Sequence, residues 1–365
     1  KGDPGTNGPV EGSVCVAGGI NGTIVTSFNA VDGLMNVTCS RQGEVITLAG
    51  TGSPGAVNAT GTSASFYAPA GVAVDGSGNV YVADYENHLI RKISPAGVVT
   101  TLAGDGSSGA VDGTGTSASF NNPGGVAVDG SGYVYVADTD NHLIRKISPS
   151  GVVTTLAGTG SSGAVDGTGI SASFYFPFGV AVDGSGNVYV ADQGNNLIRK
   201  ISPSGEVTTF AGTGSSGAVD GTGTSASFSY PYGVAVDGAG NVYVADTSNH
   251  LIRKISPSGV VTTLAGTGSS GAVDGTGTSA SFFDPYGVAV DGSGNVYVAD
   301  QSNHLIRKIS PTGVVTTLAG TGSSGAVNAN GTSASFYFPF GVAVDGSGNV
   351  YVADYFNHLI RKILG

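Results

Sequence analysis

The stretch Gly71-Val72-Ala73-Val74-Asp75-Gly76-Ser77-Gly78-Asn79-Val80-Tyr81-Val82-Ala83-Asp84 decides the fold. Two short β-branched runs flank a Gly-rich turn, which is the pattern of a hairpin. Working outward, a third run fills 88–93, Ser94-Pro95-Ala96-Gly97 turns the chain, and a fourth run fills 98–103. The opening string Gly-Val-Ala-Val-Asp-Gly begins again at Gly125, Gly179, Gly233, Gly287 and Gly341, each 54 residues after the last. Four antiparallel strands over 71–75, 80–84, 88–93 and 98–103, copied six times, predict an all-β, six-bladed β-propeller.

The ring closes by an offset. Glu44-Val45-Ile46-Thr47-Leu48-Ala49 repeats the fourth strand ahead of the first copy, and the last copy stops just after its third strand. Pairing 44–49 with 358–363 completes the sixth blade and removes two exposed edges.

Asn87-His88-Leu89 recurs as Asn141-His142-Leu143, Asn249-His250-Leu251, Asn303-His304-Leu305 and Asn357-His358-Leu359, while the third copy reads Asn195-Asn196-Leu197. Over 43–365 the chain resembles the NHL-repeat propeller family. Enzymes of that kind, such as the peptidyl-hydroxyglycine amidating lyases, use several His converging on zinc. Here all five His occupy one repeat position on different blades, and the third copy replaces His by Asn196. The position therefore needs a hydrogen bond rather than a titrating group. Only four Glu are present, so no converging His/Glu metal site and no enzyme is expected.

Composition agrees with a repeated β chain. Gly is 63 of 365 residues, more than twice the usual share of about 7%. Lys and Arg total 14 against 25 Asp and Glu, a net charge of −11. Twelve of the cations form six Arg-Lys pairs, from Arg91-Lys92 to Arg361-Lys362, facing two repeated Asp per copy. That framework is neutral, so the acidity is assigned to the connections and the N-terminal segment. The Asp84 position is expected to brace a turn and meet the Arg-Lys pair. Asp-Gly-Ser-Gly-Asn at 75–79 offers alternating oxygens but lacks the later bidentate Glu of a calcium loop, and reads as a hairpin turn. No cofactor is expected, calcium being the one ion whose donors the chain offers.

Differences between copies collect in two loops that emerge on one end of the ring. One precedes the first strand and carries Tyr67, Tyr175, Phe176, Phe178, Tyr230, Tyr232, Phe283, Tyr286, Tyr337, Phe338 and Phe340. The other precedes Asn-His and carries Tyr85, Tyr355 and Phe356. Phe178, Tyr232, Tyr286 and Phe340 stand where blades one and two have Ala70 and Gly124, which predicts an aromatic face open beside blade two. Such a face suits a glycan, a peptide or another protein, unless the rings merely plug gaps. None of these loops holds Lys or Arg, so nucleic acid, which some NHL relatives bind through cations on this face, is not expected.

The first 42 residues differ from the repeats. Residues 1–10 contain three Gly-X-Y triplets and read as a collagen-like or linker segment. Residues 11–42 read as a small β module closed by a Cys15–Cys39 disulfide, which implies an oxidising compartment. Asn21, Asn36, Asn58 and Asn330 head Asn-X-Ser/Thr acceptors, consistent with secretion or the cell surface. No apolar run is long enough to span a membrane. The leading expectation is a non-catalytic extracellular structural or adhesion protein. Its propeller would self-associate through the N-terminal module as a homo-oligomer or polymer, in a fibre or surface assembly. The alternative is an extracellular ligand-binding or sensor propeller recognising glycan or peptide on the aromatic face.

Overall fold

A computed structural model describes residues 41–365, together with the backbone of three strands nearer the N-terminus. Those strands, β1 (Val14–Ala17), β2 (Ile20–Phe28) and β3 (Met35–Ser40), form an antiparallel sheet in the order β1-β2-β3. The Gly-X-Y start, the Cys15 and Cys39 side chains and the Asn21 and Asn36 side chains lie outside the described residues.

The repeats build six blades, the all-β propeller expected from their spacing. In blade 1, β5 (Pro69–Val74), β6 (Val80–Asp84), β7 (Leu89–Ile93) and β8 (Val99–Ala103) run antiparallel from the axis outward. The chain's opening strand β4 (Val45–Ala49) pairs with Leu359–Ile363 in the register Ile363↔Val45, Lys362↔Ile46, Arg361↔Thr47. That pairing is the offset closure, and it leaves no blade with a missing fourth strand.

Three features depart from the strand pattern of the sequence. The first strand starts at Pro69, because Pro69 pairs with Asp84 before the register shifts to Val72↔Val82. Ala70 and Gly71 occupy the bulge between these pairs, and a bulge re-aims side chains. In the bulges of blades 3–6 the residues equivalent to Ala70 are Phe178, Tyr232, Tyr286 and Phe340. The third strand starts after His88 rather than at it, since His88 takes φ 54° at the end of a tight turn over Tyr85–Asn87. The connection between blades also contributes a fifth strand. Residues β9 (Gly113–Thr114) pair with Val152 and Val153 on the outer edge of blade 2, and blades 3–5 repeat this. Two residues of Gly-Thr carry no β pattern, so their pairing is visible only in three dimensions.

The core lies between blades. Ala73, Tyr81, Ala83 and Ile90 of blade 1 pack against Phe120, Val126, Val136 and Ile147 of blade 2, and five further layers follow the same plan. Phe66 and its five equivalents are wholly buried, which fixes each connection under the next blade.

At the axis the blades meet through glycine. A Cβ on Gly233 would overlap the carbonyl oxygen of Tyr286 and crowd Val288 N at 3.0 Å, and the other five glycines of the ring face their neighbours in the same way. Any side chain there must push two blades apart. Gly238, in the turn of the same blade, has nothing within 4 Å. Gly233→Ala is therefore expected to destabilise the propeller by about 2–4 kcal/mol, whereas Gly238→Ala changes it by less than about 1 kcal/mol. Denaturant unfolding of the two variants beside the parent chain measures this contrast, and equal midpoints for both would remove the axial constraint.

Candidate functional site

The face carrying the variable loops is fastened by a buried ion pair repeated in every blade. In blade 1, Arg91 Nη1 donates to Asp84 Oδ2 at 2.7 Å, and both side chains are fully buried. Asp84 also accepts the Asn87 amide at 2.8 Å and the backbone N–H of Tyr67 at 2.8 Å. Arg91 donates to the carbonyls of Ser65 and Val57 and to Asn58 Oδ1. One pair thus ties together the rim loop, the Asn-His turn and the connection. Desolvation pushes the Asp84 carboxyl up to about 6, against the pull of Arg91, Asn87 and the Tyr67 amide.

The sequence placed the acids of the connections outside the cationic framework, and the structure corrects this. Asp112, Asp166, Asp220 and Asp274 each meet the second guanidinium nitrogen of their blade's Arg at 2.6–2.8 Å. Among the described residues the Lys of each pair joins no acid: Lys92 Nζ lies 5.4 Å from the Tyr81 ring centre. Asp75 is consumed in its own turn, accepting from the Ser77 and Asn79 backbone, the Asn79 side chain and Tyr81 Oη. Those bonds hold the Asp75 turn as a hairpin. No group of three His, Cys, Asp or Glu among the described residues is arranged around a metal ion.

The motif His is a staple between blades. His358 Nδ1 accepts the backbone N–H of Ala68 at 3.0 Å, across the ring closure. His88, His142, His250 and His304 accept from Asn122, Phe176, Asp284 and Phe338 in the same way. In the third copy Asn196 Oδ1 takes the Tyr230 N–H at 2.9 Å, so the position is kept for an acceptor. Each residue so held has a left-handed backbone although none is glycine, with φ between 48° and 51°.

The predicted aromatic face divides into two rings. The inner one consists of Tyr85, Phe178, Tyr232, Tyr286, Phe340 and Tyr355, all partly buried. Its members pack on one another: Tyr232 and Tyr286 have centres 4.1 Å apart and Tyr286 and Phe340 4.5 Å, both tilted, while Phe340 and Tyr355 stack at 4.0 Å. The expected opening beside blade two is filled. Phe178 leans over Gly124, where a Cβ would meet its ring at 2.8 Å, and Tyr85 bridges Phe178 and Tyr355 at 6.4 Å from each. Beneath this plug the axis holds a cavity of about 60 Å³, room for a few waters, and a wider one of about 170 Å³ follows along the axial strands, lined by Val72, Ala73, Val74 and their counterparts.

The outer ring remains available. Tyr67, Tyr175, Tyr230, Phe283, Tyr337 and Phe356 are exposed by 38–49%. Phe176 and Phe338 sit half-buried between them, each 4.8 Å from the staple His. The densest stretch is on blade 6, where the Tyr337, Phe338 and Phe356 ring centres lie 5.2–5.5 Å apart. Asn58 and Asn330 are exposed elsewhere in the connections, with Asn58 Oδ1 engaged by Arg91. No helix among the described residues is long and apolar enough to cross a membrane.

Comparison with known proteins matches the NHL repeat model at residues 66–93, 120–147, 174–201, 228–255, 284–309 and 336–363. NHL repeat-containing protein 2 of Gallus gallus is 33% identical over 336 residues, covering 81% of this chain and 46% of that protein. The Arabidopsis thaliana protein SUPPRESSOR OF QUENCHING 1, chloroplastic, is 32% identical over 73% of this chain and 27% of its own length. The chain therefore spans less than half the length of these relatives. A crystal structure of a protein of unknown function from Bacteroides thetaiotaomicron superposes with a TM-score of 0.70 at 23% identity, over 94% of this chain and 82% of the other.

Burial holds the His304 and His358 imidazoles below their ordinary value, so the folded state favours the neutral, accepting ring. That stabilisation is present above the unfolded pKa of about 6.5 and is lost as pH falls through the folded one. The raised carboxyls act in the opposite sense, since the folded chain takes up their protons first. They are common to parent and variant, so a difference between the two isolates the imidazole. His358→Ala is expected to cost about 1 kcal/mol at neutral pH, and His358→Asn less than half of that. His358→Asn should also lose less stability than the parent between pH 6.5 and 5. Urea unfolding across that range measures both effects.

Proposed function

Starting from a chain that belongs to the NHL-repeat propellers, we propose that it is a non-catalytic extracellular recognition module. Its partner, a glycan or a polypeptide, is held on the exposed aromatic rim. The observation that carries this reading is the division of the aromatic face. The inner rings are spent on plugging the channel and stacking on one another, whereas six outer rings are presented to solvent from one end of a rigid ring. Exposed Tyr and Phe give large contact area at little cost in side-chain entropy, which favours recognition of flat sugar faces and apolar peptide side chains. The absence of Lys and Arg from the rim loops disfavours a polyanion as partner. The motif His lend a catalytic reading little support, since each Nδ1 is engaged by a backbone N–H of the next blade and the five lie on different blades.

Reading the chain as a self-associating fibre or surface subunit rests on residues 1–42, with Cys15 and Cys39 bridged and Asn21, Asn36, Asn58 and Asn330 glycosylated. It is compatible with the recognition role, in which the N-terminal module would anchor the propeller. The described geometry favours the rim as the working surface.

Replacing Tyr337 and Phe356 together by Ser tests the rim while every residue of the plug is kept, Phe356 touching it only edge-on at Tyr355. Glycan and peptide arrays probed with the parent chain should give discrete hits, and the double variant should lose at least about tenfold in affinity for them, with unfolding unchanged. Binding that survives both replacements, together with replacement of Tyr67 and Tyr175, would contradict the reading.

A further inference from the structure

One of the differences between blades on the recognition face puts a carboxylate beside tyrosines. A pocket of about 280 Å³ opens between blades 3, 4 and 5, bordered by Gln193, Tyr230, Tyr232, Asp284 and Tyr286, with the Thr247–Ser248 turn as its floor. Position 284 is the one in the repeat that elsewhere carries Ala68, Asn122, Phe176, Tyr230 and Phe338, so a carboxylate appears there in a single copy. Three tyrosines and this acid line one pocket.

The electrostatics of this pocket are one-sided. Asp284 is partly exposed, and its carboxylate accepts the Ser302 hydroxyl at 3.1 Å. His250 Nδ1 lies 3.4 Å from that carboxylate but already accepts the Asp284 N–H at 3.2 Å, so its nitrogen is not a donor to the acid. Among the described residues no Lys or Arg pairs with Asp284, and its charge opposes ionisation of both Tyr232 and Tyr286. The walls are aromatic: Tyr232 and Tyr286 pack against each other with ring centres 4.1 Å apart, Gln193 Nε2 donates to the Tyr232 hydroxyl at 3.2 Å, and Tyr230 stands 49% exposed. A neutral apolar group would bury this carboxylate without a counter-charge, and an anion would be repelled. A strongly hydrated ammonium would need several acceptors, and one full charge is offered. A bulky, weakly hydrated cation satisfies the acid and the ring faces together.

We propose that this pocket binds an alkylated ammonium group, of the kind carried by choline or by a methylated lysine. The inference rests on the recognition reading of the face and adds to it the chemistry of one subsite. The carboxylate of Asp284 supplies the counter-charge, the exposed Tyr230 supplies the cation–π surface, and Tyr232 and Tyr286 form the aromatic wall behind it.

Isothermal titration of the whole chain with choline, and separately with its uncharged isostere 3,3-dimethylbutan-1-ol, tests the role of charge at constant shape. Choline should bind in the millimolar range or tighter, and the isostere at least about tenfold more weakly. Asp284→Asn and Tyr230→Ala should each weaken choline about tenfold, with thermal unfolding unchanged as the check that both variants fold. A peptide bearing trimethyllysine, titrated in parallel, distinguishes a modified polypeptide from a free ammonium compound as the source of the group. Equal affinity for choline and the isostere, or full binding by Asp284→Asn, overturns the proposal. An array signal that depends on Tyr337 and Phe356 without any binding of choline or the peptide overturns this subsite and leaves the rim reading standing.

Discussion

A carboxylate with no access to water, facing a guanidinium with no access to water, is the constraint on which each blade depends. Asp84 and Arg91, and their five counterparts, are placed where an unpaired charge would cost several kcal/mol. Breaking such a pair by removing one member typically costs about 3–5 kcal/mol, although a well-packed apolar replacement of both can be neutral. Its value is therefore positional. The Asp side chain holds the first residue of the rim loop and the Asn of the turn, while the Arg side chain reaches two carbonyls of the connection and an Asn or Asp beyond them. Each guanidinium also lies about 5 Å from the ring of a buried Phe, and in all six copies its Nε–H has no hydrogen-bond partner. The packing of that ring takes precedence over the last donor.

Once the pairs fix the loops, the rest of the face follows. The bulge at the start of each first strand turns position 70 and its equivalents toward the axis, and four aromatics there meet two more from the neighbouring turns as a plug. The glycine ring below lets six backbones approach closely, leaving only about 60 Å³ directly under the plug. The His staple then joins each turn to the rim loop of the next blade, holding residues in a left-handed conformation that would otherwise be strained. Rigidity and an exposed aromatic rim are two consequences of one packing scheme.

The sequence made the repeat, the blade count and the offset closure legible because they depend on period and on counting strands, which a chain states openly. The hydrogen-bonding role of the His position was also legible, from the single exchange for Asn196. Less visible was which partner each charge takes. Asp112 lies 33 residues from Arg145, and nothing in the Gly-rich run around it marks it as the second ligand of that guanidinium. The mouth was misjudged for a similar reason. Ala70 and Gly124 do leave room, but side chains from adjacent blades lean into it, and the lean of Phe178 and Tyr85 is set by packing rather than by spacing. The pocket beside Asp284 depends on three blades at once and had no linear signature beyond one acid in an otherwise neutral column.

Hydrogen exchange at the Tyr175 amide tests the buried pair most directly. Tyr175 sits in a rim loop and its side chain is 39% exposed, yet its N–H donates to the buried Asp192 carboxylate at 2.8 Å. If the pair anchors the loop, that amide exchanges as slowly as Val190 in the adjoining strand, because both open only when the blade does. Exchange at the rate of an unprotected loop amide, with Val190 still protected, would show that the rim is not held by the ion pairs.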